Sequence, residues 1–192
     1  SSSLVTAQQA EQDEKPAAEE RLFSGPQAGE KLPPLTAQAV FGEEPGKKLN
    51  LVKSAGKKPV LVVFVHQLTR PSAALTRVLM NFTIEREEDV YGATVFLSAD
   101  VTATQARLAR AKGALATKRP VTISTDGPEG PGAYGLNRNV TMTVIFAREG
   151  KVVSNFAIVD PSVQADTPRV LGSVINDKLA FVAVVTQDRH AP

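Results

Sequence analysis

The residues best placed to do chemistry lie in one short stretch, His66-Gln67-Leu68-Thr69-Arg70-Pro71-Ser72. It holds two hydroxyls, an imidazole and a guanidinium, the ingredients of a nucleophile, a base and an anion clamp. A nucleophilic serine needs a base held within hydrogen-bond reach, and apart from His66 the only histidine is His190, in the last three residues. The Gly-x-Ser-x-Gly elbow is also missing, because Ser72 is flanked by Arg70-Pro71 and Ala73-Ala74. Ser72 therefore reads first as a helix-turn hydroxyl bonded to local backbone. The alternative is an enzyme of non-thiol chemistry using Thr69, Ser72 and Arg70, with His66 as the available base.

A second polar segment, Asn137-Arg138-Asn139-Val140, supplies another guanidinium. Two arginines beside a helix N-terminus suit a carboxylate, a phosphate or an acidic peptide. The competing reading is that Arg70 and Arg138 only solvate their end of the fold, pairing with Asp126 or Glu129. Other chemistries fail on residue type. Gly130-Pro131-Gly132-Ala133-Tyr134-Gly135 matches G-x-G-x-x-G, but a strand rather than a helix follows it, so it reads as a loop. Two distant histidines and no cysteine make a poor metal site. No metal and no cofactor are expected.

These residues must be positioned by the elements around them. Pro59 to Val65 is a continuous apolar, β-branched run, the pattern of a strand buried on both faces. Leu75, Val78, Leu79 and Phe82 then recur at helical spacing, with Thr69 as N-cap and Pro71 in the first turn. Upstream, Leu35 to Phe41 alternates as a strand and Leu49-Asn50-Leu51 forms a second one. Downstream, Gly92 to Ser98 is a second central strand. Asp100 or Thr102 caps a helix over about 102–116, whose Leu108, Ala111 and Leu115 form a weak apolar stripe. The basic outer face of that helix (Arg107, Arg110, Lys112) reads as solvated. Pro120 to Ser124 is a short strand, and Val140–Ala147 and Lys151–Val159 form a hairpin. Asp166-Thr167-Pro168 begins a last helix with Leu171, Val174, Ile175 and Lys178 on one side.

The chain has 192 residues, 42% hydrophobic and 22% charged, which suits one folded domain plus a tail. Net charge is +2 and aromatics are 5% without tryptophan, so nucleic acid is not an expected partner. No apolar stretch approaches the roughly 18 residues of a membrane span. There is no cysteine, so disulfides, thiolate metal sites and cysteine redox chemistry are excluded. Residues 1–24 read as a flexible acidic leader, with Glu11, Asp13, Glu14, Glu19 and Glu20 against Lys15 and Arg21. The folded domain is expected over 25–186 and a loose tail over 187–192. The leader, and the absence of an initial methionine, point to secretion or a periplasmic location, with the cytoplasm as the alternative.

The strand, junction and helix of residues 58–79 resemble the active-site segment of thioredoxin-like proteins, a hydrophobic strand followed by Cys-x-Pro-Cys and a helix. Here those four residues are Thr69-Arg70-Pro71-Ser72, with the proline present and both cysteines absent. Gly46-Lys47-Lys48-Leu49-Asn50-Leu51 and Gly56-Lys57-Lys58-Pro59-Val60-Leu61-Val62-Val63-Phe64 resemble the opening of the peroxiredoxin and alkyl-hydroperoxide-reductase group. In that group's Pro-x-x-x-Thr-x-x-Cys pattern, Thr69 matches while Val65 and Ser72 replace the proline and the cysteine. The resemblance implies an α/β, thioredoxin-like three-layer sandwich over about residues 25–180: a central mixed sheet flanked by helices, with an N-terminal β-hairpin extension. It also implies that the two polar loops meet at one end of the sheet. Val140 stands where the family carries its cis-proline, and a non-proline cis bond costs about 2.5–4 kcal/mol, so a trans bond is expected.

The function this implies is a redox-inactive binding domain for a protein or an anionic small ligand, leaning away from an enzyme. Its expected edge is His66, Gln67, Thr69, Arg70, Ser72, Asn137, Arg138, Asn139 and Val140. A scaffold subunit with its interface elsewhere is the other alternative.

Overall fold

Residues 22–42 and 44–188 are described by a computed structural model, without the side chains of 183–188. The acidic leader up to Arg21 and the last four residues therefore lie outside the described residues. Seven strands form one sheet in the order β2-β1-β5-β4-β3-β6-β7. The apolar run becomes β3 (Val60–Val65), buried at every residue and central in the sheet. It pairs in parallel with β4 (Tyr91–Phe96) and antiparallel with β6 (Met142–Arg148). β4 pairs in parallel with β5 (Val121–Ile123), and β6 forms the expected hairpin with β7 (Lys151–Ile158). β1 (Thr36–Ala39) and β2 (Lys48–Asn50) make the N-terminal hairpin, joined to the sheet through β5.

Alternation along β3 divides the interior into two cores, as the period-two geometry of a strand requires. Leu61, Val63 and Val65 face α2 (Arg70–Glu85), α3 (Val101–Arg110) and α4 (Val163–Asp188), meeting Leu75, Leu79, Leu108, Val170 and Val174. Val60, Val62 and Phe64 face the other way, onto Leu51 and Ala55 of α1 (Leu51–Ala55) and onto Tyr134. The Tyr134 ring sits 5.1 Å from that of Phe64 and its hydroxyl donates to the Pro33 carbonyl at 2.8 Å. Full burial of each such side chain contributes about 1.5–3 kcal/mol.

Three elements depart from the sequence expectation. The second strand stops at Asn50, whose side chain accepts from the Lys53 amide and opens helix α1 at Leu51, a cap that asparagine makes readily. α3 ends at Arg110, and a 3-10 turn over Lys112–Ala114 follows, because Gly113 is a poor helix former. α4 begins one turn early. Ser162 accepts from the Ala165 amide while Asp166, 6% exposed, accepts from the Ser162 amide, a reciprocal cap that leaves Pro168 inside the helix. The face of α4 that enters the core is Val170 and Val174, and Ile175 and Lys178 lie outside it. The helix also runs through Gln187 and Asp188, where a loose tail was expected. At the other terminus Ser24 is fully buried.

Candidate functional site

β3 delivers His66 and Gln67 to one end of the sheet, and the β6 side meets them there. The amides of His66 and Gln67 both donate to the Thr141 carbonyl, at 2.9 and 3.2 Å. The two polar loops therefore join beside Val140, as the resemblance implies. No peptide bond among the described residues is cis. Val140 is fully buried and belongs to the core rather than to a surface edge.

Thr69 and Ser72 close a reciprocal cap on α2. The Thr69 hydroxyl accepts from the Ser72 amide at 3.2 Å, and the Ser72 hydroxyl accepts from the Thr69 amide at 2.8 Å. The Ser72 proton goes to backbone carbonyls, Gln67 at 2.8 Å and Thr69 at 3.1 Å. Ser72 is 0% exposed. Its hydroxyl thus satisfies the orphan amide of a helix start and faces no solvent, which disqualifies it as a nucleophile. His66 does not serve it either. The imidazole Nε2 bonds the Thr143 hydroxyl at 3.0 Å, and Thr143 bonds the Ser24 hydroxyl at 2.5 Å. Ser24 in turn accepts from the Asn137 amide at 3.0 Å. Nδ1 of His66 is shielded from water without a partner, and burial lowers the pKa to about 4. His66 is therefore a neutral structural imidazole at pH 7.

The loop after β5 is shaped by its own asparagine. Asn137 Oδ1 accepts from the Asn139 amide at 2.9 Å, and its carbonyl accepts from the Val140 amide at 3.3 Å. Arg138 points to Glu129 at 3.7 Å with both side chains about two-thirds exposed. Such a pair contributes at most about 1 kcal/mol. Thr69 is exposed, but its hydroxyl is held in the cap, which leaves Gln67 and Arg70 as the candidates on the α2 side of the edge.

The concave surface lies on their β4 side. A cavity of about 490 Å³ opens between the β3–α2 loop and the β4–α3 loop, lined by His66, Gln67, Thr69, Ser98, Arg107 and Pro128 among others. Arg107, read from sequence as part of a solvated face, donates from Nη2 to the Leu68 carbonyl at 2.8 Å and lies on this cavity wall. Ser98 accepts from Thr104 at 2.7 Å and from the Asp100 amide at 3.0 Å, fixing the start of α3. Sequence reasoning missed both. The signal was the parallel pairing of two buried strands, which brings the segments after them to one edge, where α/β sheets place their crevices.

Solved structures share this arrangement. The exposed lipoprotein thioredoxin of Streptococcus pneumoniae aligns with a TM-score of 0.56 at 18% identity, covering 75% of this chain and 99% of the other. A protein assigned as thiol:disulfide interchange protein DsbE from Chlorobium tepidum aligns at 0.57 and 16%, covering 77% and 97%. The peroxidoxin BcpB of Mycobacterium tuberculosis aligns at 0.54 and 16%, covering 78% and 97%. The fold is thioredoxin-like. No protein-family model and no curated protein matches the chain. This thioredoxin-like chain has no cysteine, and the junction that resembles Cys-x-Pro-Cys is occupied by a helix cap. Among the described residues no cluster of histidine and carboxylates could hold a metal, and no helix is long and apolar enough to cross a membrane.

Proposed function

We propose that this is a redox-inactive thioredoxin-like domain that binds an anionic group, on a small ligand or an acidic protein segment, at the edge where β3 and β4 end. The observation that carries this reading is Ser72. The side chain at the position resembling the second cysteine is buried and hydrogen-bonded into the helix start, which leaves the edge its concave shape and its cations but no reactive group.

The chemistry of the rim narrows the ligand. The amides of Asn139, Val140 and Thr141 are all bonded internally, so an added peptide strand finds no donors there. Recognition falls to side chains, chiefly the guanidinium groups of Arg70 and Arg107 beside the α2 N-terminus, an electropositive setting. Arg138, turned towards Glu129, contributes less. An extracytoplasmic setting belongs to the same proposal, in keeping with the lipoprotein among the similar structures.

The test is a thermal-shift and NMR titration with phosphate, citrate, an acidic peptide and a basic peptide. Stabilisation by the anionic probes, lost in Arg70→Ala and in Arg70→Ala/Arg107→Ala but kept in Arg138→Ala, is the expected result. Equal response of all four proteins sinks the proposal.

A further inference from the structure

A second cavity lies at the opposite end of the sheet. His66, just after β3, borders the first; Pro59, just before β3, borders this one. Its volume is about 500 Å³, within the ~300–1,000 Å³ of small-molecule sites. It opens between the end of α2 and the second half of α4. The floor is Val90, Phe146 and Val174, all buried, with the half-buried Phe82 beside them. The outer wall is Ile175, Leu179 and Phe181 of α4, large apolar side chains with 41%, 64% and 45% of their surface exposed. A hollow with an apolar floor and an exposed apolar wall calls for an apolar occupant.

The rim decides the head group. Arg148 is committed to Asp177 at 2.5 Å, and Lys178 to Asp89 at 2.6 Å. Arg86 differs. Its guanidinium lies 4.9 Å from the centre of the Phe82 ring, one of the cavity walls, and it makes no ion pair among the described residues. Glu88, the remaining rim carboxylate, is exposed and is not paired with Arg86. The cavity thus combines apolar walls with one planar cation that takes part in neither of the rim's ion pairs, and its fork matches a carboxylate.

We propose that this cavity binds a single-chain amphiphile with a carboxylate head, the acyl chain on Val90, Phe146, Val174 and Leu179 and the head on Arg86. The site is independent of the edge at the far end of β3, and each proposal stands if the other fails.

Calorimetric titration of the full chain with decanoate, decanol and decylamine, all below their aggregation limits, tests it. Decanoate binds at one site, and decanol and decylamine bind at least about tenfold more weakly, the loss expected for a charged hydrogen bond. Arg86→Gln lowers decanoate to the level of decanol. Leu179→Glu, at an exposed position that leaves the fold intact by circular dichroism, weakens both about tenfold or more. Absence of decanoate binding, equal binding of decanoate and decanol, or indifference to Arg86→Gln overturns the proposal. So does a two-fold mass in light scattering that Leu179→Glu reduces to one, because a second copy would then be the occupant.

Discussion

Thr69 and Ser72 each hold the other's backbone amide: Ser72 Oγ lies 2.8 Å from the Thr69 nitrogen, and Thr69 Oγ1 lies 3.2 Å from the Ser72 nitrogen. Two of the orphan donors at the start of α2 are thereby satisfied at the position where thioredoxin-like proteins generate a thiolate. The same electropositive helix start is put to structural use.

Restoring a thiol does not restore reactivity. Ser72→Cys places sulfur at a site with no exposure and with a carbonyl at 2.8 Å. A thiolate is the reactive form, and this pocket neither solvates nor admits a reagent to it. The variant is expected to lose about 1 kcal/mol of stability through the weakened cap. It reacts with Ellman's reagent only as fast as the protein opens, so the rate rises with denaturant. A native-state reaction complete within seconds would show that the cap is not the resting arrangement.

Stability rises with pH between about 4 and 6.5, in part through His66. Burial lowers its folded pKa to about 4 against 6.5 unfolded, so in that window the unfolded chain binds more protons than the folded one. The contribution is complete above pH 6.5 and fades as pH falls towards 4. Melting temperatures from pH 7.5 to 4 in wild type and His66→Gln isolate it, since the carboxylates titrate in both. The variant shows the shallower decline; identical profiles would remove His66 from the account.

Gly92→Ala is expected to be strongly destabilising. A Cβ on Gly92, inside β4, would come within 2.8 Å of Thr83 Cγ2, and closer still to the hydroxyl. Thr83 cannot give way, because its hydroxyl donates to Met80, accepts from Arg119 Nε at 3.1 Å and sits on a buried turn of α2. Overpacking of this kind costs about 1–3 kcal/mol. Urea denaturation of Gly92→Ala and of Gly92→Ala/Thr83→Ala measures it. The second variant recovers part of the loss if the clash is the cause, and is additively worse if it is not.

Much of the framework was legible because its determinants are local. The unbroken apolar run of β3 needs two covered faces, and Thr69 with Pro71 marks a helix start whatever surrounds it. The hairpin of β6 and β7 follows from two strands joined by a tight turn, which the structure makes with two residues, Glu149 and Gly150. The start of α4 was misplaced because Asp166-Thr167-Pro168 also reads as a cap, while the cap observed depends on Ser162 and the buried carboxylate of Asp166. Helix α1 was hidden because five residues give no periodicity to read.

The amino-acid sequence by itself determined that no thiol chemistry is possible, that β3 is central and that α2 starts at Arg70, since these depend on composition, burial pattern and short-range hydrogen bonds. Only the tertiary structure decided the fate of each polar candidate. Helical or strand periodicity assigns a side chain to a face but does not name its neighbour. Arg107 reaches Leu68 because β3 and β4 run parallel in register, Val65 opposite Phe96. His66 is tied through Thr143 to Ser24, residues brought together by pairings across most of the chain. Arg86 and Leu179 border one cavity because α2 and α4 cover the same face of the sheet. Contacts between distant segments are set by which surfaces pack, and packing belongs to the whole fold.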